Sequence, residues 1–303
     1  MNINTPSRST MRLTRRGRLV LAGVGTVLAG TAVAVSLIAL FSGESKTATL
    51  VIPEGWRASQ IYDAVDKALE LKPGTTRKAA PTAGLKLSND AEGNPEGYLF
   101  PATYPLRKGI TAESLLRLMV DTANEKFDAA PVAAGAQRNS LNVYQAVTIA
   151  SIVQAEAGSK ADMGKVARVV FNRLERGMPL QMDATLNYAL DRHILRTSTD
   201  DTRIDSPYNS YQRMGLPPTP IGNPGEDAMR AVLSPSTGDW LYFVTVKPGD
   251  TRFTSDYIEH MRNVTEFNQQ RTATAHPGTP SGSPDGSPDA AHRTPVAQSP
   301  AEG

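Results

Sequence analysis

Glu156 is the residue of this chain whose type and surroundings best suit proton transfer. It stands near the end of Leu141–Ala157, which reads LNVYQAVTIASIVQAEA. Ala146, Ile149, Ala150, Val153 and Ala157 recur at the spacing of one helical face. Asn142 is placed to cap the start of that helix and Gly158 to end it. Glu156 follows Val153 by three residues and Ile149 by seven, so it falls on or beside the buried face, whereas Gln154 points elsewhere. A carboxylate at the edge of an apolar stripe loses hydration. The last turn of a helix also carries partial negative charge. Both push the pKa upward, the direction a general acid needs near neutral pH. An ion pair with Lys160 or Arg168 is the ordinary alternative, and the helix alone does not choose.

Polar residues that follow are candidates for the same site. The spacing predicts a helix over Asp162–Arg176, with Val166, Val169, Val170 and Leu174 turned inward. Asn172 either faces the cleft beside Glu156 or satisfies a backbone group. After Gly177, Gln181 precedes a helix that resumes near Ala184, and its amide suits sugar recognition. Asp183 either caps that helix or reaches a ligand. Tyr208 and Tyr211, in the run SPYNSY, either stack on sugar faces or pin their loop to the core. The run GLPPTPIGNPG over Gly215–Gly225 is a rigid extended loop of the kind that lines binding sites. A further helix begins at Asp227, and LYFVTV over Leu241–Val246 is a buried strand.

The rest of the chain sets the frame for these elements. Residues 1–18 are basic and polar and read as a cytoplasmic tail. Residues 19–41, LVLAGVGTVLAGTAVAVSLIALF, carry no charge and are long enough to span a bilayer as one helix. Arginines 8, 12, 15, 16 and 18 precede the span, which places the N-terminus in the cytoplasm and the remainder outside the cell membrane. A cleaved signal peptide is the alternative, but Ala32-Val33-Ala34 falls in mid-span. Residues 48–95 read as a small module and linker: a strand, a Pro-Glu-Gly turn, a helix capped by Ser59, then a loop. Residues 96–268 form the main domain, and 269–303, rich in Pro, Gly, Ser and Thr, a disordered tail. The class expected is therefore α+β behind a single transmembrane helix.

Composition excludes several chemistries. The net charge of +2 makes no electrostatic case for nucleic acid. There is no cysteine, so disulfides, thiol nucleophiles and thiolate metal sites are out. Of the histidines, His276 and His292 lie in the tail and no H-E-x-x-H pattern occurs, so neither a metal nor another cofactor is expected.

Taken in order, the motifs resemble those of the YceG-like family of endolytic murein transglycosylases. They are Ile52-Pro53-Glu54-Gly55, Glu96-Gly97-Tyr98-Leu99-Phe100-Pro101, Ala150-Ser151-Ile152-Val153-x-x-Glu156, Val170-Phe171-Asn172-Arg173-Leu174, Leu180-Gln181-x-Asp183, Tyr208-Asn209-x-Tyr211, Gly215–Gly225 and Tyr242-Phe243-Val244. Phe253-Thr254 and His260 also resemble family positions. The resemblance spans roughly residues 50–267 and implies a LysM-like module before a catalytic domain. It implies that Glu156 is the catalytic acid and base, cutting the MurNAc–GlcNAc bond of nascent peptidoglycan strands with closure of a 1,6-anhydro ring. Asn172, Gln181, Asp183, Tyr208, Asn209 and Tyr211 are then the expected substrate contacts. Peptidoglycan glycan strands are the implied substrate, and penicillin-binding proteins or other wall synthases the implied partners. The family motif has an acid where this chain has Gln154, a departure expected to be tolerated because Gln154 faces away from Glu156. A hydrolytic muramidase and a non-catalytic wall-binding scaffold are the alternatives.

Overall fold

The computed structural model describes residues 48–127, 129–192 and 198–275. The expected cytoplasmic tail and membrane span, and the tail after residue 275, lie outside them. Among the described residues no helix is long and apolar enough to cross a membrane. The architecture is mixed α+β: helices with two small antiparallel sheets.

Strand β1 (Ala48–Val51) turns Leu50 inward and its other residues out. It pairs with β2 (Thr103–Leu106), Ala48 opposite Leu106 and Val51 opposite Thr103. Helix α1 (Ala58–Ala68) buries Ile61, Tyr62 and Val65 on one face. Its N-cap is Arg57 rather than Ser59, and its first N–H, on Ala58, donates to the distant Glu96 carboxyl at 2.9 Å. A side chain from elsewhere thus does what Ser59 was expected to do. The stretch expected as a loop over 72–95 is partly ordered. Helix α2 (Thr75–Ala79) forms because buried Asp66 accepts the N–H groups of Gly74 and Thr76 at 2.7 and 2.8 Å.

Helix α3 (Ala112–Phe127) lines the core with Leu115, Leu116, Met119, Val120 and Phe127, and α4 (Ala130–Arg138) follows. Helix α5 (Val143–Glu156) starts at the expected cap: the Asn142 side chain accepts the Gln145 N–H, and the Gln145 side chain accepts the Asn142 N–H. The stripe read from sequence was too narrow. Tyr144, Val147, Thr148, Ser151 and Ile152 are buried too, because α4, α6, α7 and α8 pack around this helix. Those neighbours are α6 (Met163–Glu175), α7 (Asp183–Ala189) and α8 (Glu226–Leu233). Strands β3 (Tyr242–Lys247) and β4 (Asp250–Thr254) form a hairpin crossed by α9 (Tyr257–Ala275). Helix α9 carries residues 269–275, the first part of the expected tail.

One core cluster runs from Leu50 and Ile61 through α3 and α5 to Val232. The stretch over 48–95 therefore packs continuously with the stretch over 96–268. Asn223 ties the two stretches together. Fully buried, it accepts the Leu99 N–H at 2.7 Å and donates to Trp56 O at 2.9 Å and Glu96 Oε1 at 3.0 Å. Beside it Gly97 adopts φ +88°, and a Cβ there would lie 2.6 Å from Pro220, so only glycine lets this turn meet the loop that carries Asn223. Asn223→Ala strands the buried Leu99 N–H and should cost about 2–3 kcal/mol. Urea unfolding measures this, and a loss below about 1 kcal/mol would show that Asn223 is not what holds the segments together.

Candidate active site

Glu156 is the last residue of α5 and is half-buried. Its Oε1 accepts the Ala184 N–H at 2.8 Å, in the first turn of α7. Among the described residues Oε2 makes no hydrogen bond. The two ordinary partners weighed for it are engaged elsewhere. Lys160 pairs with Asp227 at 2.5 Å, and Arg168 donates to Ser236 O at 2.8 Å.

The Glu156 carboxyl is pushed up from 4.5 to about 7. Burial is the main cause, and the negative charge of Asp183 adds to it. The Ala184 N–H, which favours the charged form, pulls the other way and loses. Burial was read from the sequence, but the contribution of Asp183 was not.

Asp183 does not cap α7. Met182 holds that position and Asp183 is the first helical residue. Its Oδ1 accepts the Tyr211 hydroxyl at 2.5 Å instead. Tyr211 has its own pKa raised, by burial first and then by the charges of Asp183 and Glu156. Glu156, Asp183 and Tyr211 thus form one group drawn from α5, α7 and the loop after α7.

The other candidates sit around this group. The Gln181 side chain accepts from Arg173 at 2.9 Å, and its backbone N–H donates to Ser210 O at 2.8 Å. The Tyr208 hydroxyl shares a hydrogen bond with Thr219 at 2.9 Å, and its ring lies 4.9 Å from that of Tyr188. Gln181 and Tyr208 are each half-buried. Asn172 donates to Gly238 O and Trp240 O, at 3.2 and 2.8 Å. Asn209 has no exposed surface; it donates to Thr202 O and Ile204 O and accepts the Tyr211 N–H. Both asparagines brace loops in this arrangement. His260 is buried and stacked on Tyr242, its pKa lowered to about 4 by burial and by Arg173.

Sequence reasoning passed over Arg173 and Ser210. Arg173 is buried at the end of α6, and Ser210 accepts the Met182 N–H at 2.9 Å. The signal for Arg173 was present: helical spacing puts it on a buried face, four residues after Val169 and three after Val170. Among the described residues no group of side chains has the makings of a metal site.

The sequence profile of the YceG-like family matches residues 7–266. An endolytic murein transglycosylase of Bacillus subtilis is 40% identical over 166 residues, which is 54% of this chain and 46% of that protein. One from Streptococcus pneumoniae is 33% identical over 250 residues, 74% of this chain and 45% of that protein. The chain therefore spans less than half the length of these curated relatives. A crystal structure of a yceG-like protein from Listeria monocytogenes superposes with a TM-score of 0.62 at 33% identity, covering 71% of this chain and 75% of that one.

A carboxyl raised by folding is a cost that grows with pH. From 4.5 to about 7 the folded state holds a proton that the unfolded state has released. The destabilisation therefore develops as pH rises through that window and is complete above it. Glu156→Gln keeps an acceptor for the Ala184 N–H and never charges. It should match wild type near pH 4 and be more stable by about 1–2 kcal/mol at pH 8, allowing for screening of a partly exposed group. Thermal unfolding at the two pH values decides it: a difference independent of pH would mean that Glu156 is not perturbed.

Proposed function

The chain belongs to the YceG-like family, and from that premise we propose that it is an endolytic lytic transglycosylase of peptidoglycan whose single catalytic acid and base is Glu156. The observation that carries this reading is the state of that carboxyl. It is raised to about 7, anchored among the described residues through Oε1 alone, and only partly buried by surface.

The bond from Ala184 makes Oε1 the accepting oxygen, so the acidic proton belongs on Oε2. That proton goes to the oxygen between MurNAc and GlcNAc as the C1–O bond breaks, and GlcNAc leaves as an alcohol. The carboxylate left behind takes the proton of the MurNAc C6 hydroxyl. O6 closes on C1, giving a 1,6-anhydro ring and restoring the acid. No water is consumed and no second carboxylate is needed as a nucleophile, unlike the paired-acid glycosidases. Asp183 has two electrostatic effects here. It adds to burial in raising the Glu156 pKa, and it favours the positive charge that develops at C1. Tyr211, Gln181 and Tyr208 are the remaining sugar contacts in this reading, while Asn172 and Asn209 hold the walls.

Residues 19–41 serve as a single-pass anchor with residues 1–18 in the cytoplasm. This tether holds the enzyme near newly made glycan and beside the synthases, penicillin-binding proteins among them, whose strands it releases and limits in length. The chain lacks cysteine, so single cysteines report topology cleanly. Ser283→Cys should react with a membrane-impermeant maleimide on intact cells and Ser7→Cys only after lysis; labelling of both on intact cells would overturn the topology.

Mass spectrometry of digested peptidoglycan tests the chemistry. The wild type should leave anhydroMurNAc ends and Glu156→Gln none, whereas reducing MurNAc ends would make the enzyme a hydrolase. The basic limb of kcat/KM should fall near pH 7, where Glu156 loses its proton. Asp183→Asn removes the negative charge that raises it, so this limb should move to lower pH; an unmoved limb would remove Asp183 from the mechanism.

A further inference from the structure

Arg173 lies in the last turn of α6, with 3% of its surface exposed. Its Nε donates to Leu241 O at 2.7 Å, at the start of the β3 hairpin. Its Nη1 donates to Pro179 O and Leu180 O, both at 3.0 Å, and to Gln181 Oε1 at 2.9 Å. The guanidinium carbon also lies 5.2 Å from the Tyr242 ring centre, and Tyr242 stacks on His260. Burial lowers the Arg173 pKa to about 10, which still leaves it charged at neutral pH.

The segment that Arg173 grips leads directly to the acid. Gln181 takes a left-handed backbone, φ +53°, which a non-glycine residue adopts only when its neighbours impose it. Ser210 holds the same stretch from the other side, through Gln181 N–H to Ser210 O and Met182 N–H to Ser210 Oγ. Two residues after Met182 comes Ala184, whose N–H fixes Glu156 Oε1 at 2.8 Å, with Asp183 beside it. The field of Arg173 reaches this group as well, lowering the Tyr211 pKa against the other influences on it.

We propose that Arg173 is a positioning residue for the reaction at Glu156: its buried guanidinium clamps Pro179–Gln181 between α6 and the β3 hairpin, and so sets the Ala184 N–H and Asp183 against the acid. The role requires arginine. Its planar fork reaches Leu241 on one edge and the 179–181 stretch on another, whereas a lysine ammonium is a single point on a flexible stem. The kinetic part of the proposal rests on the transglycosylase reading; the clamp itself does not.

The test compares Arg173→Lys with Arg168→Gln, which removes a brace from the same helix to Ser236. Hydrogen exchange at the Ala184 amide reads the clamp without reference to activity. It should quicken by about tenfold or more in Arg173→Lys and stay unchanged in Arg168→Gln. In kinetics, kcat should fall about 10- to 100-fold in Arg173→Lys with KM within about threefold, since misplacing the acid impairs the chemical step more than binding. Arg168→Gln should keep wild-type kcat. Unchanged Ala184 exchange overturns the clamp. Faster exchange with wild-type kcat, or a loss carried by KM, overturns its catalytic meaning. If Arg173→Lys does not fold, Gln181→Leu removes one acceptor of the fork and should quicken Ala184 exchange more weakly; unchanged exchange there overturns the proposal. A wild-type protein that forms no anhydro ends counts against the transglycosylase reading alone, because the exchange comparison still decides the clamp.

Discussion

The hydrogen bond from the Ala184 N–H to Glu156 Oε1 joins the C-terminus of α5 to the N-terminus of α7, and the arrangement of the site depends on it. The end of α5 disfavours a negative charge at Glu156, while the free N–H groups that open α7 favour one. These influences oppose each other, so burial and the neighbouring Asp183 decide the outcome, and the carboxyl rises. The same bond fixes which oxygen is available. In the proposed reaction the carboxyl first gives and then takes a proton, which needs one oxygen anchored and the other open, and a single backbone donor suits that.

Glu96 shows what the same chemistry becomes when every atom is used. It too is raised to about 7, chiefly by burial. Its Oε1 accepts from Ala58 N–H and Asn223, its Oε2 accepts the Tyr188 hydroxyl at 3.1 Å, and 4% of its surface is exposed. Arg57 faces it as well, its guanidinium 5.1 Å from the Tyr188 ring. A perturbed pKa therefore does not separate the two carboxyls. Spare hydrogen-bonding capacity and access to solvent do. Glu96 joins α1, the 220–225 loop and the far end of α7, so it steadies from behind the helix whose front end meets Glu156.

Local pattern made α5 and α6 legible. The start of α5 at Asn142 and the extent of α6 follow from capping chemistry and apolar spacing, both written in adjacent residues. What escaped was nonlocal. The partners of β1 lie more than fifty residues away, and the cap of α1 is a carboxyl from residue 96. Asp183 looked like a cap because its type suits one, yet the N–H next to it is taken by Glu156 and its oxygen by Tyr211. Asn172 and Asn209 had the right chemistry for sugars, but an amide serves a backbone carbonyl equally well, and residue type cannot tell the two apart. Arg173 was hidden by the opposite habit, since arginines usually lie at the surface.

Gln154, where the family motif carries an acid, follows the same logic of helix ends. Its side chain points away from Glu156 and accepts the Gly225 N–H at 3.1 Å, at the cap of α8. Glu54 already crowds that glycine: a Cβ on Gly225 would lie 2.1 Å from Glu54 Oε1. A carboxylate at 154 would gain from the N-terminus of α8 but would bring a second negative charge to the same glycine. The neutral amide keeps the acceptor and avoids the repulsion. Two residues apart on one helix, a glutamine thus meets a neighbouring carboxylate as a neutral group, and Glu156 answers to burial, and then to Asp183, by holding its proton.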